Sequence, residues 1–326
     1  MIRSFIFSQG KLISQDVGMD FLKMVLFDED VHIWVDADKP TTEETKALLE
    51  GVFAFHPLAI EDCVAVSERP KVDEYENYIF MVVHAMSYQP ERRHFQGLEL
   101  NLFIGRNFLV TYHHDSLPSI TSTIERVQKN TANVARAPDR LTYHLLDTLL
   151  ENYAPSLTNF SMEIGELDQH LLADRQADVL ADVIALKMEV QRLRQTIAPM
   201  REVLARIIRG EFKVVHTRML PYYRDLQDQL SHIYDQAENY REALTDVLQV
   251  QFNLQQARTN QVIKVLTVMA TLGMPILVIT SYYGMNVRHF PNTEWPAWPF
   301  AYLWVLSLTL LITAILLWYM RRKGWY

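Results

Sequence analysis

Two long stretches without a charged residue near the C-terminus constrain the fold more than any other feature. The first runs from Val265 to Tyr283 and the second from Ala297 to Met320. A helix that crosses a bilayer needs about 20 mostly apolar residues. The sequence therefore predicts transmembrane helices over residues 265–283 and 297–320, joined by an extracytoplasmic loop over residues 284–296. Two buried core helices of a soluble protein are the alternative.

The basic residues around these stretches predict their orientation. Lys264 precedes the first span, and the connecting loop holds one basic residue, Arg288. A basic tail over residues 321–326 follows the second span and contains Arg321, Arg322 and Lys323. Because Lys and Arg collect on the cytoplasmic side, we expect both termini to be cytoplasmic. Lys264 and the three tail residues then form a candidate basic ring near the gate.

Composition narrows the class of partner. The single cysteine, Cys63, excludes an intrachain disulfide and suits a reducing compartment. No cleavable signal is expected at the N-terminus, since the apolar run after Met1 is too short. The net charge of −8 divides into +4 for residues 261–326 and −12 for the rest. Such an acidic cytoplasmic body argues against nucleic acid, which attracts basic patches, and is compatible with cations.

The chain upstream of the spans divides into three predicted segments. Residues 1–135 alternate strand and helix signals, with strands expected at 31–35, 78–85, 98–104 and 108–113. Residues 136–216 predict a helical hairpin with helices near 139–173 and 176–208. Residues 217–264 predict a stalk helix. Thr41-Thr42-Glu43-Glu44 is a typical helix start, with a hydroxyl cap and early acids.

The stalk helix is predicted to continue into the first span. Between Pro221 and Gly273 there is no Gly or Pro, so the helix would have about 65 residues and a length of roughly 100 Å. A lone rod of this kind is unstable and must pack against copies of itself or against the hairpin. Its apolar seam repeats every seven residues: Leu226, Ile233, Tyr240, Val247 and Leu254, with Leu230, Ala237 and Leu244 in the complementary positions.

A second heptad row is polar and continues into the membrane. It comprises Asp225, His232, Asn239, Asp246, Asn253, Asn260, Thr267, Met274 and Ser281. For residues 225–253 a solvated face is an equal alternative, but polar groups within a span usually face a bundle interior or a water-filled path. We therefore predict a pore lined by Asn260, Ile263, Thr267, Ala270, Met274, Leu277 and Ser281.

This predicted pore has no charged lining. Mg²⁺ loses its water reluctantly, so amide, hydroxyl and carbonyl oxygens suit a hydrated or partly hydrated ion. Apolar rings at Met274 or Leu277 could close the pore by dewetting. Because the sequence has no phosphate-binding Gly-rich loop and no nucleophile motif, we expect no enzyme activity and transport driven by the membrane potential.

Several motifs together resemble the CorA family of divalent-cation channels and transporters. Gly284-Met285-Asn286 lies at the outer end of the first span, where Gly permits a tight turn and Asn offers an oxygen acceptor. The resemblance extends over residues 259–267, Met274-Pro275 and the tail from Lys323 to Tyr326. In the N-terminal part it includes residues 56–62, 69–72 and 76–78.

The resemblance implies an α+β membrane protein, a funnel-shaped homopentamer in the bacterial inner membrane and in contact with lipid. Each chain has an αβα cytoplasmic domain and a long stalk helix that continues into the first of two transmembrane helices. Gly284, Met285 and Asn286 would form the selectivity filter, and Asn260 an inner ring. The implied ligand is Mg²⁺, both substrate and regulator, with Co²⁺ and Ni²⁺ as further substrates. Intersubunit regulatory sites would use Glu61, Asp62, Asp147 and Asp225.

One departure from the family pattern leaves the ion open. The family often has an acidic outer loop, whereas residues 287–295 hold one acid, Glu294, against Arg288 and His289. A Zn²⁺ transporter of the same architecture is therefore one alternative. A membrane-anchored coiled-coil scaffold without transport is another, although the polar row through the first span argues against it.

Overall fold

The computed structural model describes residues 1–28, 30–65, 69–172, 176–284 and 301–324. These residues form two compact units, Met1–Leu248 and Gln249–Tyr326. The first unit contains a sheet with helices on both faces. The second contains the C-terminal part of one long helix and one further helix.

A seven-stranded sheet organises the first unit. Its order is β2-β1-β3-β7-β6-β5-β4, and among these strands β3 and β7 pair in parallel while the other neighbours are antiparallel. The strands are β1 (Ile2–Ser8), β2 (Lys11–Gln15), β3 (Val31–Asp38), β4 (Lys71–Glu74), β5 (Tyr78–Gln89), β6 (His94–Gly105) and β7 (Phe108–His113).

Helices cover both faces of the sheet and produce two separate cores. One core lies under α1 (Met19–Val25), α2 (Thr42–Thr45) with its π-helical continuation (Lys46–Val52), and α3 (Pro57–Val64). The opposite core lies under α4 (Pro118–Lys129), α5 (Thr131–Val134), α6 (Pro138–Glu151), α7 (Tyr153–Leu172), α8 (Gln176–Ile208) and the start of α9 (Leu220–Gly284). A 3-10 turn (Thr217–Met219) precedes α9, and α10 (Ala301–Arg322) follows it in the second unit. This arrangement confirms the αβα prediction.

The local signals predicted four of the strands and missed three. The strand predicted over residues 108–113 has those bounds, and the other three are longer than predicted. The missed strands are β1, β2 and β4, which lie at or near the sheet edges, where short mixed sequences are tolerated. The helix start at Thr41 is confirmed as a capping box, because its Oγ1 accepts from Glu44 N at 3.2 Å and Glu44 Oε2 accepts from Thr41 N at 2.9 Å.

The prediction that the first helix of the hairpin is continuous was wrong. Instead of one helix near 139–173, α6 ends at Glu151 and α7 begins at Tyr153. Pro155 has no N–H to donate to the carbonyl of Glu151, so the helical ladder is interrupted there. Tyr153 is fully buried at this break, and its hydroxyl donates to the carbonyl of His84 at 2.7 Å. The break therefore anchors the helices to the sheet.

Helix α9 has the predicted length of 65 residues, and its seam packs within the same chain. Leu226, Leu230 and Leu244 are fully buried in the core that also contains residues of α7 and α8. Across this contact Arg194 of α8 pairs with Glu238 at 3.1 Å. Leu254 is 39% exposed, so the buried seam stops short of it. Of the two predicted partners, the described structure places the hairpin against the seam.

Candidate ion pathway and acidic cluster

The predicted pore-lining residues lie on one stripe of α9. At 100° per residue, the seven positions from Asn260 to Ser281 fall within about a third of the helix circumference. Ile263, Met274 and Leu277 are 54%, 68% and 67% exposed, and Thr267 is half-buried. The remaining three, Asn260, Ala270 and Ser281, are exposed. This stripe of α9 mixes polar and apolar residues and is mostly exposed. Within the described chain, no other element packs against it.

Another face of the same helix is shielded. Its half-buried and buried residues are Val268, Thr271, Leu272, Pro275 and Ile279. Helix α10 has a matching stripe at helical spacing: Val305, Leu308, Thr309, Ile312, Thr313, Leu316 and Met320. Because both stripes belong to the second compact unit, they indicate that α9 and α10 face each other along them. The predicted pore-lining stripe points elsewhere.

Two polar side chains of the second unit form hydrogen bonds within their own helix. The Thr271 hydroxyl donates to the carbonyl of Thr267 at 2.7 Å, and the Asn260 Oδ1 accepts from Gln256 Nε2 at 3.0 Å. Such bonds to the preceding turn allow hydroxyls to lie in an apolar segment. The Asn260 amide group retains its N–H₂ for another acceptor.

The predicted filter is described only in part. Gly284 is the last described residue of α9. Met285, Asn286 and the outer loop to residue 296 lie outside the described residues. The start of the second predicted span, residues 297–300, does so too.

The four predicted basic-ring residues border the uncharged segments of the two apolar helices. Lys264 is exposed on α9, ahead of the uncharged segment. Arg321, Arg322 and Lys323 are exposed at the end of α10, and the Arg322 guanidinium lies 5.4 Å from the centre of the Trp318 ring. In the described part of the chain, two helices are long and apolar enough to cross a membrane, and these charges lie at the margins of their apolar segments.

Two of the four predicted regulatory acids are brought together by the fold. Asp147 lies on α6 and Asp225 on α9, 78 residues apart in sequence. A single amide joins them, because Gln229 Nε2 donates to Asp225 Oδ2 at 3.0 Å and to Asp147 Oδ1 at 3.4 Å. Carboxylate and amide oxygens are the ligands that Mg²⁺ and other hard cations prefer.

The electrostatics of this acidic cluster favour a cation. Partial burial and the negative charge of Glu151 raise the pKa of Asp147, against the opposing effects of Gln229 and Arg126. Burial and the charges of Asp147 and Asp225 also raise the pKa of the neighbouring Tyr143. Burial is the first cause of both shifts, and the negative charge of neighbouring acids adds to it. Arg126 is a weak counter-ion, since its Nη1 is 3.9 Å from Asp147 and its stronger pairing is with Glu151 at 2.8 Å.

The other two predicted acids lie elsewhere. Glu61 and Asp62 are on α3, which packs on the opposite sheet face from α6 and α9. Glu61 is exposed, and Asp62 pairs with Lys71 at 2.5 Å. Although partial burial opposes it, the contact with Asp62 raises the pKa of Lys71. The sheet therefore keeps Glu61 and Asp62 apart from Asp147 and Asp225 within one chain.

Sequence reasoning missed the residues that complete the acidic cluster. Gln229, Tyr143 and Arg126 have no motif of their own. The spacing of four between Asp225 and Gln229 is a helix-face signal that was available, but the contact from Gln229 to Asp147 depends on packing between α6 and α9. Within one chain's described residues, no three His, Cys, Asp or Glu side chains converge as metal ligands.

A soluble αβα unit, a 65-residue helix that runs on into an apolar segment, and a second apolar helix define an integral membrane protein with a large soluble domain. Residues 29–322 match the family described as CorA-like Mg²⁺ transporter protein. The chain belongs to that family. The family is one of transporters and not of enzymes, and its transported ion is Mg²⁺.

Relatives and solved structures agree with this membership. The chain is 30% identical over 293 residues to the putative metal ion transporter YfjQ of Bacillus subtilis, covering 90% of this chain and 89% of the relative. It is also 30% identical to the cobalt/magnesium transport protein CorA of Thermotoga maritima, over 84% of this chain and 77% of that protein. The complete structure of the CorA magnesium transporter from Methanocaldococcus jannaschii shares the fold, with a TM-score of 0.78, 22% identity and coverage of 99% and 98%.

Proposed function

We propose that this protein forms a homo-oligomer, a pentamer by family resemblance, in which the exposed stripe of α9 lines a pore for hydrated Mg²⁺. The ion enters down the membrane potential, with Co²⁺ and Ni²⁺ as further substrates. The observation that carries this proposal is the stripe itself, which is uncharged, partly polar, and turned away from the face that α10 covers. Family membership supports the same ion.

The chemistry of the stripe suits a hydrated divalent cation. Asn260, Thr267 and Ser281 present amide and hydroxyl oxygens, which can bind to the ion's water shell without replacing it. Met274 and Leu277 form apolar rings able to close the path by dewetting. The membrane potential supplies about 2.3 kcal/mol per elementary charge at 100 mV, so no nucleotide hydrolysis is needed.

Regulation belongs to the acidic cluster. Asp147 and Asp225, held by Gln229, would bind cytoplasmic Mg²⁺ together with Glu61 and Asp62 of a neighbouring copy. The separation of these pairs on opposite sheet faces supports a site completed between subunits. Bound Mg²⁺ would relieve carboxylate repulsion and stabilise the closed oligomer. A fall in cytoplasmic Mg²⁺ would then open the pore. The proposed localisation is the bacterial inner membrane with both termini cytoplasmic.

Ion flux into proteoliposomes under an imposed potential tests the pore. We expect Mg²⁺ entry that falls at least about tenfold, equivalent to about 1.4 kcal/mol, in Asn260→Leu, Thr267→Leu and Asn286→Ala. Thr280→Leu is the matched control, because it also replaces a threonine by leucine, but on another, exposed face of α9. Zn²⁺ entry without Mg²⁺ entry would indicate the zinc transporter. Absence of flux from assembled oligomers at low internal Mg²⁺ would reject transport in favour of a scaffold.

The same assay tests regulation when Mg²⁺ is raised on the side of the soluble domain. We expect wild-type flux to fall, and the Asp147→Asn/Asp225→Asn double variant to keep conducting because its carboxylates are gone. Asp235→Asn is the control, an exposed acid on α9 outside the cluster. Equal inhibition of all three proteins would show that Asp147 and Asp225 do not form the regulatory site. The pore proposal would not be affected by that result.

A further inference from the structure

A small cavity lies where the segment before α6 meets the start of α9. Its volume is about 160 Å³, and three arginines line it, Arg136, Arg140 and Arg218, together with Asp139 and Tyr222. Such a volume holds several waters and therefore one tetrahedral oxyanion. The cavity shares no lining residue with the predicted pore or with the four acids considered above.

The arginines of this cavity have no anionic partner in the described chain. None of the three lies within 4.0 Å of a described carboxylate oxygen. Eight other arginines of the described chain do form such ion pairs, among them Arg93 and Arg206. Arg136 and Arg218 are exposed and Arg140 is half-buried, so the cavity presents three positively charged side chains that an anion can reach.

The one acid of the cavity is already engaged. Asp139 is 1% exposed, and its Oδ2 accepts from His216 N at 2.9 Å and is 2.7 Å from His216 Nδ1. Its Oδ1 accepts from the backbone N–H of Arg140 at 2.8 Å. The carboxylate thus holds the segment before α9 against α6. It does not neutralise the guanidinium groups, so the cavity keeps a net positive charge.

The start of α6 also lies at this cavity. The residue before the helix is Ala137, which has no side-chain oxygen to cap the first turn, and Pro138 follows. The partial positive charge of this 14-residue helix is offset by Asp139 in its first turn, so the excess positive charge of the cavity comes from the arginines. Arg136 and Arg140 flank this helix end, and Arg218 comes from the turn before α9.

We propose that this cavity binds a phosphate group, either inorganic phosphate or a phosphate of a nucleotide. Arginine matches phosphate because its planar fork donates two parallel hydrogen bonds. Tyr222 distinguishes the two sources. Its ring is 46% exposed and makes an edge contact with Tyr143 at 5.3 Å between centroids. A nucleotide base can stack on this ring, whereas inorganic phosphate has no aromatic face to stack.

Calorimetric titration of the purified full-length protein in detergent tests the proposal. The probes are inorganic phosphate, ATP, adenosine and chloride. We expect saturable binding of phosphate or ATP, weakened at least about tenfold in Arg136→Gln and in Arg218→Gln, since each removes a charged hydrogen-bond donor. Arg106→Gln is the control, an exposed arginine of a distant turn. If the ligand is a nucleotide, Tyr222→Ala weakens ATP binding and leaves phosphate binding unchanged.

Three results would overturn the proposal. The first is that neither phosphate nor ATP binds saturably. The second is that the wild type and the Arg136→Gln/Arg218→Gln variant bind with equal affinity. The third is that chloride binds as tightly as phosphate. Circular dichroism of each variant establishes that it is folded before titration. The readout is binding and not ion flux, so its outcome is independent of the proposed transport function.

Discussion

At the scale of single residues, a buried charged network fixes the parallel strands β3 and β7. Asp36 is fully buried, and it accepts hydrogen bonds from Arg3 Nη2 at 2.6 Å and from Thr111 Oγ1 at 2.7 Å. His113 Nε2 lies 3.2 Å from Asp36 Oδ1, while its Nδ1 lies 2.6 Å from the carbonyl oxygen of Asp115. Acceptors at both ring nitrogens favour the doubly protonated imidazolium.

This network predicts how stability depends on pH. Although burial opposes the change, the contacts with Asp36 raise the pKa of His113 above its ordinary value. Burial likewise opposes but does not prevent the fall in the pKa of Asp36 caused by His113, Thr111 and Arg3. The stability due to His113 is complete below its unfolded pKa of about 6.5 and is lost as the pH rises through the folded value. The stability due to Asp36 is lost as the pH falls through its own lowered pKa.

Thermal unfolding of the wild type and of His113→Gln, at pH values below and above the pKa of His113, measures this contribution to stability. We expect the variant to be less stable at about pH 6, and the difference to shrink as the pH rises, by about 1.4 kcal/mol for each unit of pKa shift. His232→Gln is the control, since His232 is exposed on α9. A difference that stays constant with pH would contradict a charged His113.

At the scale of elements, α9 combines two environments in one helix. From Leu226 to Val247 its seam belongs to the core of the first unit, and beyond Gln249 its apolar side chains are largely exposed. A helix of this length gains its stability from packing, not from propensity. The first half therefore holds the helix in the soluble unit, and the second half is left with apolar surface that suits lipid or other copies.

Substitutions along the seam test this division. We expect Leu230→Ala to lower the free energy of unfolding by about 2–5 kcal/mol, because it removes a fully buried side chain and leaves a cavity. Leu254→Ala in the same heptad pattern should cost less than about 1 kcal/mol. Denaturant unfolding followed by circular dichroism measures both. Similar losses at the two positions would mean that the seam is buried over its whole length.

At the scale of the whole molecule, the two compact units differ in chemistry. The first unit has its own cores on both sheet faces, whereas the second consists of helices with large exposed apolar side chains. The two parts of the chain also differ in charge, because residues 261–326 are basic and the rest of the chain is acidic. The first unit should therefore fold without the second.

Two fragments test this independence. We expect residues 1–248 to be soluble and folded without detergent, because the fragment retains the whole buried seam of α9. Residues 1–216 should aggregate, since the apolar surfaces of α7 and α8 lose the partner that Leu226, Leu230 and Leu244 supply. Gel filtration and circular dichroism distinguish the outcomes. A folded, monomeric fragment 1–216 would show that the seam is dispensable.

Sequence alone was sufficient where the signal is local. The charge-free runs, the heptads of α9, the helix start at Thr41 and the strand over residues 108–113 all depend on neighbouring residues, and each predicted an element that the structure contains. The edge strands β2 and β4 were missed because short, mixed sequences leave little periodicity to detect. The resemblance to the CorA family was confirmed, while the filter at Met285 and Asn286 stays a prediction.

Only tertiary packing decided the relations between distant residues. The heptads of α9 fitted either copies or the hairpin, and burial against α7 and α8 selected the hairpin. Gln229 joins Asp147 to Asp225 because α6 and α9 lie on one sheet face, and Glu61 and Asp62 lie apart because α3 packs on the other. Periodicity determines which face of a helix is apolar, but the free energy of burying that face depends on which other surfaces the chain brings against it.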